Sequence, residues 1–244
     1  MFATKTVLVT GAASGIGLAT ARHLAAAGAG QLILLDRDAA ALARVDLPCP
    51  VVAIPGDVAD EAFWALVAPM LGGIDLAVIN AGVAGAAPIA ELAFDEWRRI
   101  LRINLDGAFL TLRAAMRAMG AGGSIVAVAS AAGVRAEAGT AAYGASKAAL
   151  IHLVKVAAKE GAAARIRVNA LAPGGVDTPV WDPVLATRIA EVGREAALRE
   201  AAATTPLARF ASAEEIAGQI AFLLSDAAAT ITGACLLSDG GYAL

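Results

Sequence analysis

The 244-residue sequence contains only 2 cysteines, Cys49 and Cys235, and 2 histidines, His23 and His152. A lone cysteine pair so far apart is not the dense disulfide framework of a small secreted scaffold, and it points to a reducing compartment. Neither histidine has a cluster of Cys, His or carboxylate at ligand spacing, so no metal site is expected. Charge of either sign is scarce: Lys plus Arg is 19 and Asp plus Glu 22. The net charge of −3 offers no footprint for nucleic acid or an anionic membrane surface. The 59 % hydrophobic fraction and mean hydropathy of +0.69 look membrane-like, but alanine inflates both. No run reaches about 18 apolar residues free of charge or helix-breaking residues. The most apolar window, 76–90, holds Asn80, Gly82, Gly85 and Pro88. The N-terminal residues lead straight into Val7-Leu8-Val9, without the basic and long apolar segments of a secretory signal. A soluble, cytoplasmic protein is the expectation.

What is present is alternation. Short β-branched or leucine-rich runs at 6–10, 31–36, 51–54, 76–79, 124–129, 167–171 and 234–238 read as strands. Longer alanine-rich stretches near 15–28, 38–45, 60–71, 95–119, 142–163, 184–203 and 213–224 read as helices. Strand and helix repeated in this way predict an α/β fold, a doubly wound parallel sheet of about seven strands with helices on both faces. The strand runs are almost uniformly apolar, as strands covered on both faces must be. No linker, repeat or charge block divides the chain, so residues 1–244 form a single Rossmann-like domain in this reading.

After the first strand comes Thr10-Gly11-Ala12-Ala13-Ser14-Gly15-Ile16-Gly17, and then a helix. Glycines there let backbone approach a pyrophosphate, while the helix N-terminus offers free N–H groups and a positive dipole end. Asp36 ends the second strand, where a carboxylate can accept hydrogen bonds from both adenosine ribose hydroxyls and repel a 2′-phosphate. That choice favours NAD over NADP. The adjacent Arg37 could instead stack on adenine or tolerate the phosphate.

Tyr143 and Lys147 fall one turn apart on one helix face. Lowering a phenol by about three pKa units toward neutrality takes about 4 kcal/mol. An ammonium about 5 Å away supplies roughly 3 kcal/mol at an effective dielectric of 20, and the positive nicotinamide of bound NAD could supply the remainder. Ser130 follows a strand at the sheet edge where open α/β folds place ligands, and its hydroxyl could hold the substrate oxygen.

With these motifs in order, the chain resembles a short-chain dehydrogenase/reductase over essentially its whole length. The resemblance rests on Thr10-Gly-x-x-x-Gly-x-Gly17, Asp57-Val58, Asn80-Ala81-Gly82, Asn104, Ser130, Tyr143-x-x-x-Lys147 and Pro173-Gly174. It implies Tyr143 as catalytic acid/base, Lys147 on the nicotinamide ribose and Ser130 on the substrate oxygen. Asn104, in a helix distortion, would hold a water linking Lys147 to a proton relay. Gly11, Ser14, Gly15, Ile16 and Gly17 would meet the pyrophosphate, with Asp36, Arg37, Asp57 and Val58 around the adenosine. Asn80, Ala81 and Gly82 would border the cofactor, and Pro173, Gly174, Val176 and Thr178 would grip its carboxamide. Substrate would lie against Val83, Ala132, Val134, Gly175, Val180 and Trp181, beneath a lid at about 178–205, with Arg135 and Glu137 facing solvent. Those small and apolar side chains imply a neutral, moderately apolar secondary alcohol or ketone, and the family implies a homotetramer. The segment 37–50 looks several residues shorter than in many members, which would open the adenosine side.

Two other readings are compatible with the scaffold. One is an NADPH-dependent 3-oxoacyl-carrier-protein reductase, which Asp36 and the lack of a basic residue at 12–14 disfavour. The other is a non-catalytic NAD-sensing protein, which would not need Ser130, Tyr143 and Lys147 together.

Overall fold

A computed structural model describes residues 2–182 and 184–244. The chain alternates β1 (Thr6–Thr10), α1 (Gly15–Ala26), β2 (Gln31–Asp36), α2 (Ala39–Leu42), β3 (Val51–Pro55), α3 (Glu61–Val67) and β4 (Leu76–Ile79). Then come α4 (Phe94–Leu101), α5 (Gly107–Ala118), β5 (Gly123–Val128), α6 (Ala141–Gly161), β6 (Ile166–Pro173), α7 (Ala186–Val192), α8 (Arg194–Ala202), α9 (Ala213–Leu224) and β7 (Cys235–Ser238). The strands form one parallel sheet in the order β3-β2-β1-β4-β5-β6-β7. Successive side chains on a strand point to opposite faces, and both faces here are buried. Leu8, Ile33, Ala77, Ile125 and Val168 join Leu112, Ala115, Leu150 and Val154 from α5 and α6. Val7, Val9, Leu34, Val78 and Val126 join Leu24 of α1 and Ile216 and Ile220 of α9. Each fully buried Leu, Ile or Val contributes about 1.5–3 kcal/mol, which is why these runs tolerate so few polar residues.

The strand order reverses between β1 and β4, and that reversal opens a crevice at the carboxyl ends of the strands. Thr10 and Asn80 lock its two walls together. The Asn80 amide donates to the carbonyls of Thr10 and Gly11 at 3.0 and 3.2 Å, and the Thr10 hydroxyl accepts from the Asn80 N–H at 3.0 Å.

Three helices differ from the sequence expectation. The stretch expected as one helix over 95–119 is interrupted by a π-helical turn at Arg102–Asp106. The stretch 184–203 is two helices broken at Gly193, whose φ of +82° no α-helix accommodates. The stretch 38–45 keeps a single turn, α2, capped by Asp38, whose side chain accepts from the Ala41 N–H at 2.9 Å. Among the described residues no helix is long and apolar enough to cross a membrane.

Candidate active site

A cavity of about 640 Å³ runs along the carboxyl edge of the sheet, from Asp36, Arg37 and Asp57 at one end to Trp181, Phe210 and Tyr242 at the other. The α1 N-terminus opens into it. Ser14 caps α1 without a side-chain hydrogen bond, and Ser14, Gly15 and Ile16 line the cavity, so the free N–H groups of the first turn face a space where an anion fits. Gly17 does not line it. A Cβ there would stand 2.0 Å from the Gly11 carbonyl oxygen, so this glycine lets α1 pack against the turn. Thr178 sits across from the turn, its methyl carbon 3.4 Å from where a Cβ on Gly15 would lie.

The Asp36 carboxylate is held in place on the cavity wall. It accepts from the Ala13 N–H at 2.9 Å and the Asp38 N–H at 3.0 Å. Asp57, also on the wall, pairs with Arg102 at 2.7 Å and accepts from the Ala59 N–H at 2.9 Å.

Ser130, Tyr143 and Lys147 converge midway along the same cavity. Ser130 caps the short turn Ala131–Gly133, its oxygen accepting from the Ala132 N–H at 3.2 Å, which leaves its hydrogen for a donor role. Lys147 is buried and donates to the Val128 carbonyl at 2.9 Å, with its Nζ 5.8 Å from the centre of the Tyr143 ring. Burial pushes its pKa down to about 8. Burial also pushes the Tyr143 phenol above its ordinary value, against an opposing hydrogen bond from Ser130. The shift is opposite to the one expected from Lys147, because in the protein alone desolvation of the phenolate outweighs its neighbours.

Asn104 lies in the π-helical turn, the distortion expected of it, but does not line the cavity. Its Oδ1 accepts from the Val83 N–H at 2.8 Å, and its Nδ2 donates to the Val83 carbonyl at 2.9 Å and to Ser146 at 3.2 Å. Both amide hydrogens are thus engaged by protein, so a relay water could only donate to this side chain. The amide fixes the Val83 segment onto α6.

The other expected cofactor residues line the cavity, as do Val83, Ala132, Gly175, Val180 and Trp181. Val134 does not; it is 51 % exposed, because the turn after Ser130 carries it outward. Glu137 and Arg135 are both exposed, as expected, but Glu137 also lines the cavity, whereas Arg135 does not. Phe210 and Tyr242 were not anticipated. The Phe210 ring lies 5.0 Å from that of Trp181, closing the far end. Tyr242 follows the turn at Gly240 and Gly241, both at positive φ, and that glycine pair was the one sequence signal that the chain bends back. The lid range 178–205 contains α7 and α8, and Pro183 within it lies outside the described residues. Arg194, at the start of α8, ties that helix to the segment after β6, pairing with Asp182 at 2.7 Å and Asp177 at 2.6 Å and donating to the Thr178 carbonyl at 3.2 Å.

A parallel sheet with a glycine turn at one end of its crevice and a Ser, Tyr and Lys at the middle defines a nucleotide-dependent oxidoreductase. The family profile described as enoyl-(acyl carrier protein) reductase matches residues 11–243. The chain belongs to the short-chain dehydrogenase/reductase family, as an oxidoreductase of secondary alcohols that uses NAD or NADP. It is 42 % identical to cis-4-hydroxycyclohexanecarboxylate dehydrogenase of Sinomonas cyclohexanicum, over 99 % of this chain and 97 % of the relative. It is 39 % identical to 2,5-dichloro-2,5-cyclohexadiene-1,4-diol dehydrogenase of Sphingobium indicum, over 98 % of this chain and 96 % of that one. The crystal structure of levodione reductase superposes with a TM-score of 0.90 at 33 % identity, over 100 % of this chain and 99 % of that one.

Proposed function

We propose that the protein is an NAD-dependent dehydrogenase of neutral, moderately apolar secondary alcohols, with a carbinol on a six-membered ring as the natural substrate class. The observation that carries this is the placement of Ser130, Tyr143 and Lys147 in one cavity with the free N–H groups of α1. The ring follows from the names of the two relatives, and the apolar character from Val83, Val180, Trp181 and Phe210 on the wall. The donor set fits the cofactor: the α1 N–H groups take the pyrophosphate, Asp36 the adenosine ribose and Lys147 the nicotinamide ribose. Bound NAD supplies the hydride acceptor.

The proton is handled by the chain. Ser130 donates its hydrogen to the carbinol oxygen and fixes it beside Tyr143. The Tyr143 phenolate oxygen accepts the carbinol proton, and the Lys147 ammonium favours that phenolate through the charge between them. Asn104 acts one step back, holding the Val83 segment. Formation of NADH from cyclohexanol and substituted cyclohexanols tests this reading; absence of turnover across such a panel overturns it, as would a sensor that binds NAD without turnover.

The NAD preference rests on Asp36. Asp36→Ala removes the ribose acceptor and the charge that repels a 2′-phosphate, so NAD binding should weaken by about 1.5–3 kcal/mol. The NAD/NADP ratio of kcat/KM should then fall to near unity or reverse, with Arg37 free to pair with the phosphate. The variant also loses the Ala13 and Asp38 hydrogen bonds, a loss shared by both cofactors, so the ratio is the quantity to measure. An unchanged ratio, or a wild type that already favours NADP, overturns the assignment.

A homotetramer in the cytoplasm belongs to the same proposal. Exposed Phe109 of α5 and Val156 of α6 line a shallow apolar groove with His152, and Leu236 and Leu237 leave exposed apolar side chains on the two faces of the edge strand β7. Two such apolar regions on one subunit suit two interfaces, and a monomer by light scattering at micromolar concentration would rule the assembly out.

A further inference from the structure

We infer that Glu137 is a specificity residue that reads a second hydroxyl on the substrate, so that the preferred substrates are diols and hydroxy acids are disfavoured. The inference rests on the ring-alcohol reading above and narrows it. The two relatives quoted differ on this point, one acting on a ring that bears a carboxylate and one on a ring that bears two hydroxyls.

The far half of the cavity is apolar apart from a few groups, and most of those are already engaged. Thr140 donates its hydroxyl to the Glu137 carbonyl at 2.8 Å, Thr204 to the Ala201 carbonyl at 3.2 Å and Thr205 to the Ala202 carbonyl at 2.8 Å. Tyr242 donates its hydroxyl to Oε2 of Glu137. Burial and the neighbouring carboxylate push the Tyr242 phenol up to about 12, so it stays protonated and keeps donating. The Oε1 oxygen of Glu137 is left without a hydrogen-bond donor among the described residues, and Glu137, though exposed to solvent, lines the cavity that holds Ser130 and Tyr143. A carboxylate oxygen accepts and cannot donate, so what it selects is a donor.

The charges decide between a hydroxyl and a carboxylate. The charged side chains lining the cavity are Asp36, Arg37 and Asp57 at the adenosine end, Lys147 beside Tyr143, and Glu137. Arg135, the cation nearest Glu137 in sequence, is turned to the outside. It stacks over the Tyr242 ring at 4.6 Å and donates to the Tyr242 carbonyl, and it does not line the cavity. No salt bridge neutralises Glu137 among the described residues. A substrate carboxylate reaching this end meets the Glu137 charge with no cation on this part of the cavity wall to pair with among the described residues, whereas a hydroxyl finds a fixed acceptor. Charged acceptors give the stronger hydrogen bonds, and a site built to bind a hydroxyl rejects an analogue lacking it.

The test compares kcat/KM with NAD for cyclohexanol, 1,3- and 1,4-cyclohexanediol and 4-hydroxycyclohexanecarboxylate in wild type, Glu137→Ala and Glu137→Gln. The inference expects one diol to exceed cyclohexanol by tenfold or more in wild type, and the hydroxy acid to fall below cyclohexanol. In Glu137→Ala the diol-to-cyclohexanol ratio should drop by tenfold or more. In Glu137→Gln, which keeps an acceptor and loses the charge, the diol ratio should be partly kept while the penalty against the hydroxy acid shrinks. Taking each ratio within one variant removes any general damage to the fold. Turnover of cyclohexanol without a diol advantage, a diol advantage that survives in Glu137→Ala, or a wild-type preference for the hydroxy acid overturns the role of Glu137 and leaves the ring-alcohol reading standing. Turnover of none of the four overturns both.

Discussion

Tyr143→Phe should lose three or more orders of magnitude in kcat while binding NADH with near-normal affinity. The substitution removes one oxygen and leaves the ring, so the half-buried side chain still fills its place against Ser130 and Lys147. Proton transfer by a positioned side chain contributes about 10²–10⁴-fold, and in the proposed reaction that transfer falls to the Tyr143 phenol. Burial holds the phenol above its ordinary pKa, so alcohol oxidation by wild type should rise with pH across the alkaline range. Fluorescence titration with NADH and steady-state rates check both halves, and a variant retaining more than about a tenth of wild-type turnover excludes Tyr143 as the acid/base.

Lys147→Met should abolish useful turnover and yet make the cofactor-free protein more stable at pH 7. The Lys147 pKa falls from 10.5 to about 8 on burial, so between those values the unfolded chain binds a proton that the folded one does not. Stability therefore rises with pH through that window, and below about 8 the full penalty of the buried ammonium is present. At about 1.4 kcal/mol per pKa unit, the penalty is about 3 kcal/mol. Methionine of similar length removes it and loses the bond to the Val128 carbonyl, worth about 1 kcal/mol. A net gain of about 1–2 kcal/mol follows, or a rise of about 2–8 °C in Tm for a chain of this size. Denaturation at pH 7 and pH 9 checks the sign: wild type should gain stability between the two and the variant should not. Above pH 10 the raised Tyr143 pKa works the other way, since the unfolded phenol then loses its proton first, so the comparison belongs below that point. A variant less stable than wild type at pH 7 would mean that the ammonium is better solvated than its burial implies.

The parts of the fold that were legible were those in which burial acts on every residue. Strands covered on both faces admit few polar side chains, so β1, β2 and β4 could be delimited to the residue. Helices near the crevice were less legible, because their interruptions serve geometry. The turn at Arg102–Asp106 shifts its hydrogen bonds without a mark in the composition of Arg-Ile-Asn-Leu-Asp, and only the family resemblance at Asn104 pointed to it. The site divides in the same way. Ser130, Tyr143 and Lys147 are bound to a spacing, since one helix turn and one strand end must present them together. Glu137 and Tyr242 meet because β7 returns beside β6 and brings the final turn over the cavity, while Phe210 is set beside Trp181 by the loop whose Ala211 N–H bonds the Gly175 carbonyl. Their conjunction lies in three-dimensional closure and leaves no mark in local spacing.

That division sets how the molecule can change over evolutionary time. The residues assigned to the proton and the nucleotide lie on regular elements and are tied to main chain, Lys147 of α6 to the Val128 carbonyl of β5 and Asp36 of β2 to the Ala13 N–H of the glycine turn. The far wall is assembled from connections: the turn after Ser130, the turn at Thr178–Trp181, the loop at Phe210 and the final turn at Tyr242. Mutations in those connections leave the sheet's ladders intact, so new substrate ranges are reachable by single steps that keep the hydride chemistry running throughout. A scaffold partitioned in this way is evolvable, and directed evolution for a new ring substrate should accumulate its changes at 131–140, 178–184, 204–210 and 240–242 before any reach the sheet.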